Sequence, residues 1–343
     1  MSETPTPTTT TDRAQPRRAR RRLLAVAALP LLAAFAACEP TPTPTTPTAT
    51  TTAPTTTTTA PSGGPTWRVV GGDEFSGSTL DATRWKPYHN TYGDGNAEVA
   101  CLTPANVAVG GGRLRIAPKH EDATCPNAPT DHYTSGFIGS RETGTYYPLE
   151  AKYEIRAKVP HAQGIWPAFW LRHRNGASTA EVDVMEYFHS ATPGATTQTL
   201  HLDGVANVAK RSTAFEAPTA TPGWHTWGVE ISRVDADGDG ARDDVRFAFT
   251  LDAKPTFSYV DTTHRWADAA PADATFDIAV NQAVGGRWVG DPDGQLGVLP
   301  SLGRCSQGGT IPACTTTGIR RVDWADPATT TYEVDWVRVS VKR

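Results

Sequence analysis

Long apolar runs are missing from this chain. No stretch of 18 or more apolar residues occurs in its 343 residues, so it contains no conventional membrane-spanning helix. Positive charge is not in excess either. The formal net charge is −4, which removes the usual reason to expect nucleic acid as a partner. Cysteine is scarce, at five residues, and no CxxC or Cys/His spacing suggests a metal cluster. Long stretches of helical periodicity are absent, and so are internal repeats, which argues against a propeller. What charge there is lies unevenly. Residues 1–38 hold six Arg against Glu3 and Asp12, and the remainder carries 26 basic and 34 acidic residues, a net of −8. An acidic remainder with ten Trp suits a neutral, stackable ligand better than a polyanion.

The first 38 residues read as an address. Arg17, Arg18, Arg20, Arg21 and Arg22 precede an apolar stretch from Leu23 to Ala37, the order of a secretory signal. It ends Phe35-Ala36-Ala37-Cys38, which resembles a bacterial lipobox with Phe35 where Leu is usual. Cys38 is therefore the expected lipidation site, and the chain is expected to be exported as a cell-surface lipoprotein. The alternative is plain secretion. Residues 39–65 are almost wholly Thr, Pro and Ala, which cannot bury a core and stay extended and solvated. They read as a stalk. Cys101, Cys125, Cys305 and Cys314 remain, an even number in an exported domain. Of three connectivities, the local pairs Cys101–Cys125 and Cys305–Cys314 are the expected ones.

Residues 66–343 alternate with period two. Tyr153, Ile155, Ala157 and Val159 interleave with Glu154, Arg156 and Lys158, and Val245, Phe247, Phe249 and Leu251 repeat the pattern, as do Val337, Val339 and Val341. Gly/Pro/Asn turns separate such runs, which predicts one all-β sandwich or barrel. The informative stretch is Gly164-Ile-Trp-Pro-Ala-Phe-Trp-Leu171, a polar turn containing Asn175-Gly176, then Ala180-Glu-Val-Asp-Val-Met-Glu-Tyr-Phe188. Two antiparallel neighbours are expected. Trp166, Ala168 and Trp170 share a face, as do Glu181 and Asp183. A regular strand would turn Glu186 away. A one-residue bulge near Val184–Met185 restores it, so that three carboxylates and two indoles line one wall. A bland reading exists, since acids on a strand face are usually just solvated. Three acids within six residues repel, however, and crowding raises the pKa of at least one. A proton donor beside an ionised partner is the pair that glycoside hydrolysis requires.

Glu181-Val-Asp-Val-Met-Glu186 resembles the ExDxxE signature of glycoside hydrolase family 16, the laminarinase, agarase and carrageenase relatives. The likeness extends in order through Gly72-Asp-Glu-Phe-Ser-Gly77, Tyr153-Glu-Ile-Arg-Ala-Lys-Val159, Thr199-Leu-His201, Gly223-Trp-His-Thr-Trp-Gly-Val-Glu230, Asn281-Gln-Ala-Val-Gly-Gly-Arg-Trp288 and Tyr332-Glu-Val-Asp-Trp-Val-Arg-Val339. The resemblance implies an all-β jelly-roll sandwich of two curved antiparallel sheets, concanavalin A-like, over 66–343. It implies retaining endo-hydrolysis of a β-linked polysaccharide, most like the β-1,3-glucanase branch. Glu181 matches the nucleophile, Glu186 the acid/base and Asp183 the carboxylate that tunes them. Trp166, Trp170 and Trp288 match substrate-stacking positions and His201 a cleft histidine, although His201 and Trp288 also suit structural positions at the rim. Asn96 and Glu98 resemble an early element that reaches the cleft. A non-catalytic binding jelly roll has no use for the carboxylate pair. A transglycosylase, or an enzyme of agar or carrageenan, stays open. Gln282 and the inserted segment Gln295–Asp323 depart from the family pattern.

No cofactor is expected for chemistry. A structural Ca²⁺ is a candidate at Glu74, Gly112 (through its carbonyl) and Asp335, as the resemblance implies, because oxygen ligands suit it. Asp235-Ala-Asp237-Gly-Asp239-Gly240 with Asp243 begins like a Ca²⁺ loop, but Arg246 stands where an EF-hand needs Glu, so an acidic hairpin tip is the other reading. The expected partners are a polysaccharide, no nucleic acid, and a membrane only through the lipid. A monomer is expected.

Overall fold

Wherever the sequence alternates apolar and polar residues, the chain forms strand. The computed structural model describes residues 65–343 apart from 175–179, 190–192, 203–204, 218–219, 264–273, 287, 291 and 294–319. Cys38, the leader, the stalk, the Asn175-Gly176 turn, Cys305 and Cys314 lie outside the described residues. In chain order the strands are β1 (Trp67–Asp73), β2 (Lys86–Pro87), β3 (Ala100–Leu102), β4 (Val107–Val109), β5 (Leu114–Ile116), β6 (Lys119–Cys125), β7 (Ala128–Ser135), β8 (Phe137–Gly139) and β9 (Ala151–Lys158). There follow β10 (Ile165–His173), β11 (Glu181–Tyr187), β12 (Ala195–Leu202), β13 (Val205–Ala214), β14 (His225–Val234), β15 (Asp244–Leu251), β16 (Lys254–Asp261), β17 (Phe276–Val284) and β18 (Tyr332–Lys342).

They make two antiparallel sheets, the jelly-roll sandwich the sequence predicts. The seven-stranded sheet runs β13-β12-β11-β10-β17-β8-β2, and the eight-stranded sheet runs β16-β15-β14-β9-β18-β5-β4, with β1 also paired to β18. The core lies between them. On β9, Ala151, Tyr153, Ile155 and Ala157 are buried, while Lys152, Glu154, Arg156 and Lys158 face out. Phe169 and Leu171 of β10, Val182 of β11 and Ile278 and Val280 of β17 close on them from the other sheet. The β18 alternation is interrupted by a register shift between Val334 and Trp336, which lets Val334, Val337 and Val339 all reach the core. Gln282 points inward too, fully buried, and its side-chain amide donates to the Thr330 carbonyl at 2.5 Å.

A small third sheet, β3-β7-β6, sits beside the sandwich. The Cys101–Cys125 disulfide ties its β3 to the end of β6, with Cα atoms 5.5 Å apart, as the local pairing predicts. The closed loop has a sequence separation of 24, for which chain entropy gives about 3.5 kcal/mol. This brace steadies the segment that carries Asn96 and Glu98. That segment also needs a close backbone approach: Glu98 bridges to Gly285, and a Cβ on Gly286 (φ 105°) would lie 3.1 Å from the Asn96 carbonyl.

Candidate active site

The bulge forms where the spacing predicts. Against β10, Met185 pairs with Phe169 and Asp183 with Trp170, so Val184 is skipped. Against β12, Asp183 pairs with Thr199 and Glu186 with Thr197, so two residues face one. Val184 and Met185 are both fully buried in the core. Two consecutive inward side chains shift the phase, and Glu186 therefore returns to the face of Glu181 and Asp183. The three acids line one cavity of about 110 Å³ together with Trp166 and Trp170. Asn96 and Glu98 reach the same cavity, with the Asn96 amide donating to Glu98 at 3.4 Å.

The acids form a chain of hydrogen bonds. Asp183 sits in the middle, 3% exposed, and bonds to both glutamates. Its Oδ2 lies 2.9 Å from His201 Nε2, and the same nitrogen is 3.8 Å from Glu181 Oε1. Burial is the largest cause that pushes all three carboxyls up; repulsion among them comes next for Asp183 and Glu186, which rise well above the ordinary range. For Glu181, burial is opposed by His201, by the Asp183 hydrogen bond and by Arg172. The environments thus differ: burial and repulsion favour the protonated form at Asp183 and Glu186 most, while the neighbours of Glu181 partly support its anion.

The indoles are less open than stacking platforms would be. Trp166 and Trp170 are 8% and 9% exposed. Trp166 packs against Phe188, Ala283 and Val289 and donates its Nε1–H to Glu186 at 3.2 Å. Trp170 donates to Asn281 at 2.8 Å. Each presents only a small part of its surface to the cavity, because the rest is packed. Trp288 is different, 49% exposed, with Phe188 beside it and the Lys210 ammonium 5.8 Å from its ring centre.

Four further positions at the cleft are not among the site residues the sequence predicts. Asn281, Arg172 and Asp277 are in phase with cleft residues on β17 and β10, a period-two signal that could have found them. Tyr92 comes from a loop and carries no such signal. It lines the carboxylate cavity and also an adjoining hollow of about 430 Å³ bounded by Lys86, Arg141 and Glu142.

The sequence profile of Glycosyl hydrolases family 16 matches residues 85–232. A beta-glucanase of Rhodothermus marinus is 30% identical over 249 residues, spanning 69% of this chain and 80% of that protein. This chain belongs to glycosyl hydrolase family 16. A glucan endo-1,3-beta-glucosidase A1 of Niallia circulans is 29% identical over 298 residues; the match spans 78% of this chain but 37% of that longer relative. Among solved structures, an endo-beta-1,3-glucanase from Pyrococcus furiosus superposes with a TM-score of 0.60 at 22% identity, over 81% of this chain and 95% of that one, which shows the shared fold.

The family's structural calcium finds a poor fit here. Arg338 binds both oxygens of Glu74 (2.7 and 2.8 Å), and Arg156 pairs with Asp335 at 2.5 Å. The charge that would draw a cation at Glu74 and Asp335 is already met by guanidinium groups. At the β14–β15 hairpin, Asp235, Asp237 and Asp239 bring carboxylate oxygens within 4.8 Å of one another, and Asp243 stands outside that group. Their oxygens accept from the loop's own amides, for example Gly238 N–H to Asp235 at 2.8 Å, which suits an acidic turn.

Proposed function

We propose that this chain is a retaining, endo-acting β-glucan hydrolase, with β-1,3-glucan of the laminarin type as substrate. The observation that carries the reading is the bulged strand, which sets Glu181, Asp183 and Glu186 along one cavity with protonation preferences that differ. Glu181 attacks the anomeric carbon while Glu186 gives its proton to the departing glycosidic oxygen, and the C–O bond to the leaving chain breaks. The sugar is left esterified to Glu181. Glu186, now a carboxylate, takes a proton from water, and the resulting attack releases Glu181. Asp183 bonds to both glutamates and passes the electrostatic effect of one to the other. His201 keeps Asp183 oriented.

Endo action is supported by the two exposed aromatics. Trp288 stands beside Lys210 of β13, and Tyr92 reaches from the carboxylate cavity into the adjoining hollow that Lys86 of β2 borders, so aromatic surface extends beyond the three acids. A neutral glucan suits aromatic edges and amide groups and does not require a cationic floor. We further propose export of the chain, with a lipid on Cys38 and residues 39–65 as a stalk for the 66–343 catalytic domain. The polybasic and apolar leader and the Thr/Pro composition support this.

The test is digestion of laminarin, lichenan, agarose and carrageenan, with products followed by NMR. Mid-length oligosaccharides from laminarin whose new reducing end first appears as the β-anomer are expected. Release of single sugars only, or of the α-anomer first, overturns the reading. Mass spectrometry of the mature N-terminus decides the anchor: a diacylated Cys38 supports it, and cleavage elsewhere contradicts it.

A further inference from the structure

One register row across the seven-stranded sheet holds two residues, Asp277 and Arg172, that have no part in the steps above. Asp277 on β17 stands opposite Arg172 on β10, Arg172 stands opposite Glu181 on β11, and Glu181 stands opposite His201 on β12. Arg172 is in phase with Trp166, Ala168 and Trp170, so it lies on the cleft face, while Phe169 and Leu171 between them fill the core. Acid and base therefore alternate along the row. Neighbouring strands are about 4.8 Å apart, which gives Glu181 an in-register basic side chain on each side.

Arg172 is 7% exposed, and every side of it is occupied. Its Nε and Nη2 donate to Asp277 Oδ2 at 2.8 and 2.5 Å, and its Nη1 donates to the Tyr88 hydroxyl at 2.8 Å. It also shares a hydrogen bond with Tyr92, and its guanidinium lies 5.5 Å from the Trp170 ring centre. Burial alone works against the charge, but Asp277 and Tyr88 more than offset it and hold the group firmly protonated. A buried ion pair of this kind is weak evidence for stability, since desolvation commonly cancels the Coulomb gain. Its position at the end of a row that runs into Glu181 suggests another use.

The groups that face Glu181 are Asp183 and Glu186 on its own strand, Glu98 and Tyr92 from the loop, Arg172 from β10 and His201 from β12, and Lys210 from β13 faces its neighbours Asp183 and Glu186. Three are acids. Of the bases, His201 is engaged with Asp183, and Lys210 sits at the exposed rim. Arg172 alone is both permanently charged and locked in place.

We propose that Arg172, clamped by Asp277, is a positioning residue for the nucleophile, supplying the fixed positive charge that holds Glu181 as a carboxylate among its acidic neighbours. This rests on Glu181 being the nucleophile. Arg172→Met and Arg172→Gln in the full chain test it through the pH profile of kcat/KM on laminarin, with Tm measured alongside. The nucleophile sets the acidic limb, and removing a nearby cation raises its pKa. That limb should therefore move up by about half a pH unit or more. In both variants kcat should fall about tenfold or more, with KM changing less than kcat. Arg172→Lys should restore most of the limb and only part of kcat, since an ammonium cannot serve the Asp277 fork. A merely structural role would lower Tm and leave the limb in place. An unmoved limb in either folded variant overturns the inference. If Arg172→Met does not fold, Arg172→Gln, which keeps a donor for Tyr88, decides on the same outcome. If neither folds, Arg172→Lys decides: a kcat equal to wild type overturns the clamp. A wild-type protein inactive on every β-glucan, or an active Glu181→Gln variant, instead sinks the functional reading and this inference with it.

Discussion

On the outer face of the eight-stranded sheet, charged side chains pair with opposite partners across or along the strands. Lys152 meets Glu154 at 2.8 Å, Arg338 meets Glu74, and Lys342 meets Glu230 at 2.6 Å. On the outer face of the seven-stranded sheet, Glu181, Asp183 and Glu186 stand together and share one cavity with Glu98. The same period-two alternation builds both faces. Pairing on one makes a solvated surface whose charges cost little. Crowding of like charges in a partly dry cleft on the other costs stability and yields acids with unusual protonation. The contrast separates a surface from a site better than residue type does, because both faces are rich in Glu.

The largest effect is expected at Glu181. Glu181→Gln should abolish laminarin turnover while the unfolding temperature holds; retention of more than a few per cent of activity, with contamination excluded, would return this carboxylate to the ordinary surface class. Glu186→Ala should slow both chemical steps, and added azide should partly restore cleavage of activated aryl glycosides. A folded variant that azide cannot rescue would argue against the acid/base role.

Trp166 and Trp288 come next, and they split. Trp166 is packed and bonded to Glu186, so Trp166→Ala should cost about 3–5 kcal/mol of stability in addition to activity. Trp288→Ala should leave calorimetric unfolding nearly unchanged and raise KM for long oligosaccharides several-fold, with short activated substrates less affected. Equal thermal losses in the two would contradict the difference in their burial.

A smaller and pH-dependent effect tests the cost of crowding directly. Glu186 is pushed well above the ordinary carboxylate range in the folded protein, chiefly by burial and then by Asp183 and Glu181. The fold therefore binds the proton more tightly than the unfolded chain does. The stability this contributes is fully present below the unfolded pKa, about 4.3, and is lost as pH rises through the folded value. Glu186→Gln removes that loss, so its Tm advantage over wild type should grow from pH 4 to pH 8. A constant difference across that range would mean the carboxyl titrates normally. The smallest effect belongs to the paired face: Glu74→Gln should cost about 0–1 kcal/mol, and less in high salt.

Much of the site was legible in the chain because strand periodicity is a local property. Glu181 and Asp183 two apart, Trp166 and Trp170 four apart, and the need for one extra residue before Glu186 follow from the alternation of side chains. The all-β class followed from the same pattern, and the local Cys101–Cys125 pair from short separation. Calcium at Glu74 and Asp335 was not legible in the same way, because Arg338 and Arg156 reach those carboxylates only once β18 lies between β1 and β9.

What the chain determined by itself is which residues share a face: a two-residue period and a bulge are set by neighbouring side chains competing for one core. What only the tertiary structure decided is which faces meet. The row Asp277–Arg172–Glu181–His201 draws on strands far apart in sequence and exists because β17, β10, β11 and β12 are hydrogen-bonded in that order. The loop that brings Tyr92, Asn96 and Glu98 to the carboxylates is placed by a disulfide and by two glycines whose bare backbones admit it. The burial that raises three carboxyls together exists only when those pieces close around them, since desolvation is a property of the assembled cleft and of no single strand.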